Sequence, residues 1–150
     1  MIPSRAQEII GVLSPVLRAS KAVLFAYLFG SSATGKTHRH SDVDIAVTLS
    51  NKIPAKRFLA WRLAMLPKLC SVLKTDNVDL VVLNDAPLVL RYEIVSSGKI
   101  ALNAKPKQEL EFRLRTMDEY FDTAPMRAMF RRVMQQKIKE GTFLGQSRSL

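Results

Sequence analysis

Two patterns with chemical potential overlap at Gly30. Residues 30–37, GSSATGKT, fit the P-loop formula G-x-x-x-x-G-K-[ST], in which the lysine (here Lys36) reaches the terminal phosphates and the last hydroxyl binds Mg²⁺. A P-loop must open directly into a helix, because the helix N-terminus supplies much of the field that holds the anion. Here only HRH separates Thr37 from Ser41, and an aspartate-bearing strand follows at once. A P-loop NTPase is therefore the least favoured hypothesis.

The second pattern is Gly-Ser at 30–31 followed, after ten residues, by Asp-Val-Asp at 42–44. In an extended segment, residues two apart point to the same side, so Asp42 and Asp44 would project together. Two adjacent carboxylates repel each other unless a divalent cation lies between them, and such a pair suits Mg²⁺ bridging the phosphates of a triphosphate. Asp79 would complete a carboxylate triad if its own strand lies beside this one.

The elements that would position these residues alternate between strands and helices. Strands are predicted over 22–29, 43–48, 77–84 and 99–102, and helices over 4–20, 54–73, 87–97 and 106–140, the last interrupted at Pro125. Ser4 is the predicted N-cap of the first helix, which Pro15 should bend or shorten. We expect most apolar residues of the second helix to be core, namely Phe58, Trp61, Leu63, Met65 and Leu66. The alternation predicts an α/β or α+β domain with a sheet covered by helices.

The second pattern resembles the nucleotidyltransferase superfamily that includes DNA polymerase beta, with its Gly-Ser turn, Asp-x-Asp and later aspartate. LFGSSATGKTHRHSDVDIAV, VDLVVLNDAP and LRYEIVSSGKIAL are similar to segments of the minimal nucleotidyltransferase (MNT) domains of prokaryotes. The resemblance covers residues 5–104 and continues more loosely through YFDTAPMRAMFRRV, which is similar to the C-terminal helix of MNT antitoxins paired with HEPN toxins. It implies a small mixed sheet in a nucleotidyltransferase core (1–104), with a C-terminal helical extension (105–150) of the same domain.

The resemblance also implies a reaction and its residues. Gly30 and Ser31 would hold the β- and γ-phosphates with Lys36 nearby, and Asp42, Asp44 and Asp79 would be the catalytic carboxylates that bind two Mg²⁺ ions. The donor would be ATP, and the acceptor a hydroxyl, for instance a tyrosine, of a cognate HEPN ribonuclease toxin held in a hetero-oligomer. The family usually has arginine where this chain has Thr34, and Lys36 or Arg39 could substitute for it.

Three other functions stay open at this stage: toxin neutralisation by binding alone, nucleotidyl transfer to a small molecule such as an aminoglycoside, and nucleic-acid binding. The net charge of +10 permits the last, but basic residues are spread along the chain rather than gathered in one tail. His38 and His40 lack a further Cys or His and are interpreted as loop residues. The aromatic and methionine residues of segment 111–130 are interpreted as packing, with a partner interface as the alternative.

The single cysteine and the absence of a long apolar segment bear on location. Cys70 is expected to be a small buried hydrophobe, and one thiol without a signal sequence indicates a reducing cytoplasm. The longest apolar run has eight residues, which is too short to cross a bilayer. We therefore expect a cytoplasmic protein that makes no membrane contact.

Overall fold

The structure is a computed structural model and describes residues 2–34 and 42–141. The predicted strands and long helices are present along these residues, and a four-residue helix over Ser31–Thr34 was not predicted. In chain order they are α1 (Arg5–Ala19), β1 (Val23–Phe29), α2 (Ser31–Thr34), β2 (Val43–Leu49), α3 (Phe58–Leu73), β3 (Val78–Val82), α4 (Leu88–Ser97), β4 (Lys99–Asn103), α5 (Pro106–Asp122) and α6 (Ala124–Glu140). No helix in the described part of the chain is long and apolar enough to span a membrane.

The four strands form one mixed sheet in the order β3-β2-β1-β4. β1 is antiparallel to both β2 and β4, whereas β2 and β3 are parallel. A parallel pair requires a crossover connection, and α3 provides it. Asn84, just after β3, lengthens the pairing, because its side-chain amide accepts from the Leu49 N–H at 2.8 Å and donates to the Leu49 carbonyl at 2.9 Å. The predicted mixed sheet is confirmed.

Helices cover both faces of the sheet, so two apolar clusters form. On one face α1 and α3 pack against alternate residues of β2, including Val43, Ile45 and Val47. On the other face α4 and α5 pack against Phe25, Tyr27 and Ala46 of the inner strands. The continuous apolar sequence of β1 and β2 follows from this burial on both faces.

The boundaries of the first helix follow the predicted capping signal. Ser4 and Gln7 form a capping box: the Ser4 N–H donates to Gln7 Oε1 at 2.8 Å and the Gln7 N–H donates to Ser4 Oγ at 3.2 Å. Pro15 was expected to bend or shorten this helix, and the helix is not shortened, since α1 continues to Ala19. Pro15 has no backbone N–H, so one hydrogen bond of the helix is missing. We attribute the continuity of α1 to the packing of Leu13 and Leu17, on either side of the proline, which are fully buried.

The second long helix differs from its prediction at its start and in its packing. Residues 54–57 lie outside α3, because a 3₁₀ turn over Ala55–Arg57 precedes it. Leu63 was predicted to be core but is 58% exposed, since α3 buries only one stripe, centred on Phe58, Met65 and Leu69.

Two further features of α3 concern its C-terminal half. Cys70 is half-buried rather than buried, because it lies beside Leu69 at the border of the helix stripe that faces the sheet. The helix ends at Lys74, which adopts a left-handed conformation with φ 56° while its N–H donates to the Cys70 carbonyl.

An ionic network around the buried Glu109 carboxylate fixes α5 on the sheet. The Tyr27 hydroxyl of β1 donates to Glu109 Oε1 at 2.6 Å, and Arg113 donates to both carboxylate oxygens at 2.9 and 3.3 Å. Burial raises the pKa of Tyr27, and the adjacent Glu109 charge raises it further. Burial alone would raise the pKa of Glu109, but the hydrogen bonds from Arg113 and Tyr27 outweigh it, so the pKa is lowered. The Glu109 carboxylate is therefore held in its charged form.

Candidate functional site

Gly30 lies directly after β1 in a backbone conformation that favours glycine. Its φ is +70°, in the left-handed region that favours glycine. A Cβ atom added here would lie 2.2 Å from Oδ2 of Asp44, whose Cα pairs with Phe29 across the antiparallel strands. The Gly30 turn and the Asp44 carboxylate are therefore in direct contact, and a side chain at position 30 would displace Asp44.

Asp44 and Asp79 lie side by side on neighbouring strands. They are directly paired in the parallel β2–β3 ladder. Both point to the α4–α5 side of the sheet, because Ala46 and Val81, two residues further along each strand, belong to the cluster on that side. The condition under which Asp79 could complete a carboxylate triad is thus met.

Asp42 immediately precedes β2, two residues before Asp44, and is exposed. Its main chain is held by Ser32 of α2, whose buried side-chain hydroxyl donates to the Asp42 carbonyl at 3.2 Å. Sequence reasoning missed Ser32 because its contact is with a backbone group ten residues away. The second serine of the GSS turn is the signal that could have identified it.

The three aspartates interact electrostatically. Burial raises the pKa of the Asp44 carboxyl above its ordinary value, and the nearby charges of Asp79 and Asp42 raise it further. A divalent cation would relieve this repulsion, so the donor set suits Mg²⁺ in its chemistry. Within residues 2–34 and 42–141, however, no three Asp, Glu, His or Cys side chains stand close enough together to hold an ion as placed. Asp42 and Asp79 are both exposed, whereas Asp44 between them is half-buried.

The remaining predicted contacts divide between described and undescribed residues. Ser31 begins α2, directly after the Gly30 turn. Lys36, His38, Arg39 and His40 lie outside the described residues.

The position of α2 bears on the P-loop hypothesis. In a P-loop the lysine and hydroxyl stand at the start of the helix. Here β2 begins at Val43 and returns antiparallel to β1, so residues 30–42 are all that separates the two strands. The fold thus differs from a P-loop in the order of its parts.

Residues 12–107 match the family described as "Polymerase beta, Nucleotidyltransferase". This chain belongs to that nucleotidyltransferase family. The family prediction made from Gly30, Asp42, Asp44 and Asp79 is confirmed, and so is the fold prediction.

A curated relative of this nucleotidyltransferase is the protein adenylyltransferase MntA of Shewanella oneidensis. The two are 40% identical over 94 residues, which make up 63% of this chain and 63% of MntA. The alignment therefore spans less than two thirds of that relative.

Solved structures extend the similarity. A chain from a crystal structure described as a toxin-antitoxin with AMP-PNP is 31% identical, with a TM-score of 0.69, over 83% of this chain and 98% of its own. A chain from a tri-AMPylated Shewanella oneidensis HEPN toxin in complex with MNT antitoxin is 27% identical, with a TM-score of 0.64, over 86% and 98%. Because 83% of the chain is more than residues 1–107, these matches include part of the C-terminal helices.

Proposed function

We propose that this chain is an adenylyltransferase antitoxin that transfers AMP from ATP to a tyrosine hydroxyl on a cognate HEPN toxin. The modification neutralises the toxin. The observation that carries the proposal is the contact of the Gly30 turn with Asp44, beside Asp79, in a chain of the nucleotidyltransferase family. The proteins it resembles supply the substrate class: one is named a protein adenylyltransferase, and another was solved with an AMPylated HEPN toxin.

Each proposed site residue has a separate task. Gly30 and Ser31 would hold the terminal phosphates of ATP, since the turn leaves no side chain between its backbone and the ligand. Lys36 would add positive charge at the phosphates. Asp42, Asp44 and Asp79 would hold two Mg²⁺ ions, which when bound neutralise phosphate charge and orient the leaving group.

In the transfer itself, the acceptor oxygen would form a bond to the α-phosphorus of ATP as the bond to pyrophosphate breaks. The hydroxyl proton must leave, and Asp79 is the proposed acceptor because it is exposed while its neighbour Asp44 is half-buried. We also propose that the protein acts in the cytoplasm, because ATP as the donor and the single thiol both suit that compartment. We further propose that the chain is one domain, with a core (1–104) and a C-terminal extension (105–150).

The test is transfer of label from α-³²P-ATP to a purified cognate HEPN protein, in the presence of Mg²⁺. We expect Asp44→Asn to lower the rate at least 100-fold, because it removes a metal-binding charge, and chelation of Mg²⁺ to have the same effect. Asp76→Asn is the matched control, since Asp76 is an exposed carboxylate in the turn before β3. Equal labelling by wild type and Asp44→Asn would contradict the assignment.

A second candidate function is neutralisation by binding alone. Two observations favour it. Among the described residues, no three Asp, Glu, His or Cys side chains lie close enough together to hold a metal ion. In addition, Thr34 occupies the position where the family usually has arginine. The double variant Asp42→Asn/Asp44→Asn separates the two functions. If it protects cells from the toxin as well as wild type does, and wild type transfers no label, binding is the function.

A further inference from the structure

The last helix of the described chain is packed differently from the others. Of the six α-helices in residues 2–34 and 42–141, only α6 has no buried residue. Its large apolar side chains nevertheless recur every three or four positions, which places most of them on one face. These are Met126, Met129, Phe130, Val133 and Ile138, each between 46% and 64% exposed. An apolar helix face left in water is typical of an interaction site.

The start of α6 is held firmly although its face is uncovered. The Arg127 guanidinium lies 3.7 Å from the centre of the Tyr120 ring, and Tyr120 stacks on Tyr92 of α4 with 3.7 Å between ring centres and 3° between planes. Arg127 also donates to the Tyr120 carbonyl and to the Thr123 hydroxyl at the α5–α6 junction. This arrangement, the Arg127 clamp, fixes the direction in which α6 leaves the domain. A surface fixed in advance costs less free energy to bind.

A groove of about 570 Å³ runs beside the first turns of α6. Its lining combines apolar residues with two arginines, and consists of Val89, Met126, Arg127, Phe130, Arg131 and Met134. Methionine side chains adapt to the shape of an apolar partner, phenylalanine adds a large apolar ring, and arginine at the border pairs with carboxylates. The groove therefore suits a partner with an apolar centre and acidic surroundings.

The charge of α6 distinguishes between possible occupants. The helix contains five basic residues, Arg127, Arg131, Arg132, Lys137 and Lys139, and one acidic residue, Glu140. A second copy of this chain bound in a two-fold arrangement would bring these like charges together, which is unfavourable. The charge instead favours a partner that presents carboxylates.

We infer that α6 and its groove are the docking surface for the toxin proposed above, through a toxin surface with an apolar centre and carboxylates at its rim. The inference rests on the proposed function. It is supported by position, because α6 lies outside the family segment 12–107, and chains taken from toxin–antitoxin structures match a larger share of this chain than that segment alone. The catalytic core and the surface that binds the partner are then different parts of one chain.

The test is the affinity of the full chain for the purified HEPN protein, measured by calorimetry with Met129→Gln/Phe130→Gln and, separately, Arg131→Glu/Arg132→Glu. We expect the first variant to weaken binding about 100-fold, because exposed aromatic and methionine residues at the centre of an interface dominate its affinity. Leu59→Gln/Leu63→Gln in α3 is the matched control, with original side chains 61% and 58% exposed, and should change affinity less than about threefold. Circular dichroism verifies that each variant keeps its helices.

The outcomes separate this inference from the proposed function. Unchanged affinity of both α6 variants, or a wild-type chain that binds no HEPN protein, would overturn the inference. The inference would also be overturned if the Met129→Gln/Phe130→Gln variant lost self-association, or binding to vesicles of anionic lipid, while it still bound the HEPN protein normally. Binding through α6 without transfer of AMP would instead overturn the enzymatic proposal and leave the docking surface in place.

Discussion

At the scale of single residues, the site depends on one glycine and on contacts that differ in how well they can be predicted from the sequence. The positive φ of Gly30 and its approach to Asp44 follow from a motif that is visible in the sequence. The hydrogen bond of Ser32 to the Asp42 carbonyl could not be predicted, because it joins a side chain to a backbone group and depends on how the turn folds back. The pairing of Asp44 with Asp79 was predicted only conditionally, since it requires the neighbour relation of two strands.

Gly30→Ala should disable the site. The added methyl group would overlap the Asp44 carboxylate, at 2.2 Å, and a non-glycine residue at positive φ costs a further ~1–2 kcal/mol. We expect transfer of AMP to fall at least 100-fold and the free energy of unfolding to drop by about 2 kcal/mol or more. Labelling with α-³²P-ATP and thermal denaturation measure the two effects.

Gly11→Ala is the control for that substitution. Gly11 lies inside α1, with no atom within 4 Å of an added Cβ. Alanine there should leave transfer unchanged and stabilise the protein by about 0.4–1 kcal/mol. Equal loss of activity in both variants would show that the effect at position 30 is not specific.

At the scale of elements, the sequence predicts which segments are strands and helices more reliably than how they pack. The apolar runs of β1 and β2 identify them because inner strands are buried on both faces. Leu63 shows the limit, since a helix as apolar as α3 gives no clear stripe and only tertiary packing decides which side is exposed. The same limit applies to α6, where Met129 and Phe130 were interpreted as packing and are exposed.

Lys74→Gly should stabilise the end of α3. Lys74 adopts φ 56°, a left-handed conformation that costs an L-residue with a side chain ~1–2 kcal/mol and costs glycine little. We expect the free energy of unfolding to rise by up to about 1 kcal/mol, since glycine also loses more entropy on folding. Chemical denaturation in urea measures it, and Lys74→Ala, which keeps the strain, should show no gain.

At the scale of the whole molecule, stability should depend on pH through the contact between sheet and α5. The folded protein lowers the pKa of Glu109, so this carboxylate contributes stability above its unfolded pKa and loses the contribution as pH falls through the folded value. Glu109→Gln should cost about 1–3 kcal/mol at neutral pH, because Arg113 and Tyr27 lose a charged partner.

The difference between wild type and Glu109→Gln should shrink as pH falls below the ordinary glutamate pKa of about 4.3. Urea denaturation at several pH values measures this trend. Glu111→Gln, at an exposed position on the same helix, should show no such trend. A pH-independent difference for Glu109→Gln would contradict a buried carboxylate that is charged in the folded state.

The sheet order has a consequence for how the molecule opens in solution. β1 and β2 are the inner strands, so their amide groups are bonded on both sides and exchange with solvent only when the whole domain unfolds. Gly30 and Asp44 belong to the ends of these two strands. The amides of α6 beyond the Arg127 clamp, where the helix buries nothing, should exchange by local fraying instead. In deuterium-exchange measurements, β1 and β2, which carry the candidate site, should therefore exchange slowly, whereas α6 should exchange rapidly. A bound partner should slow exchange only in α6.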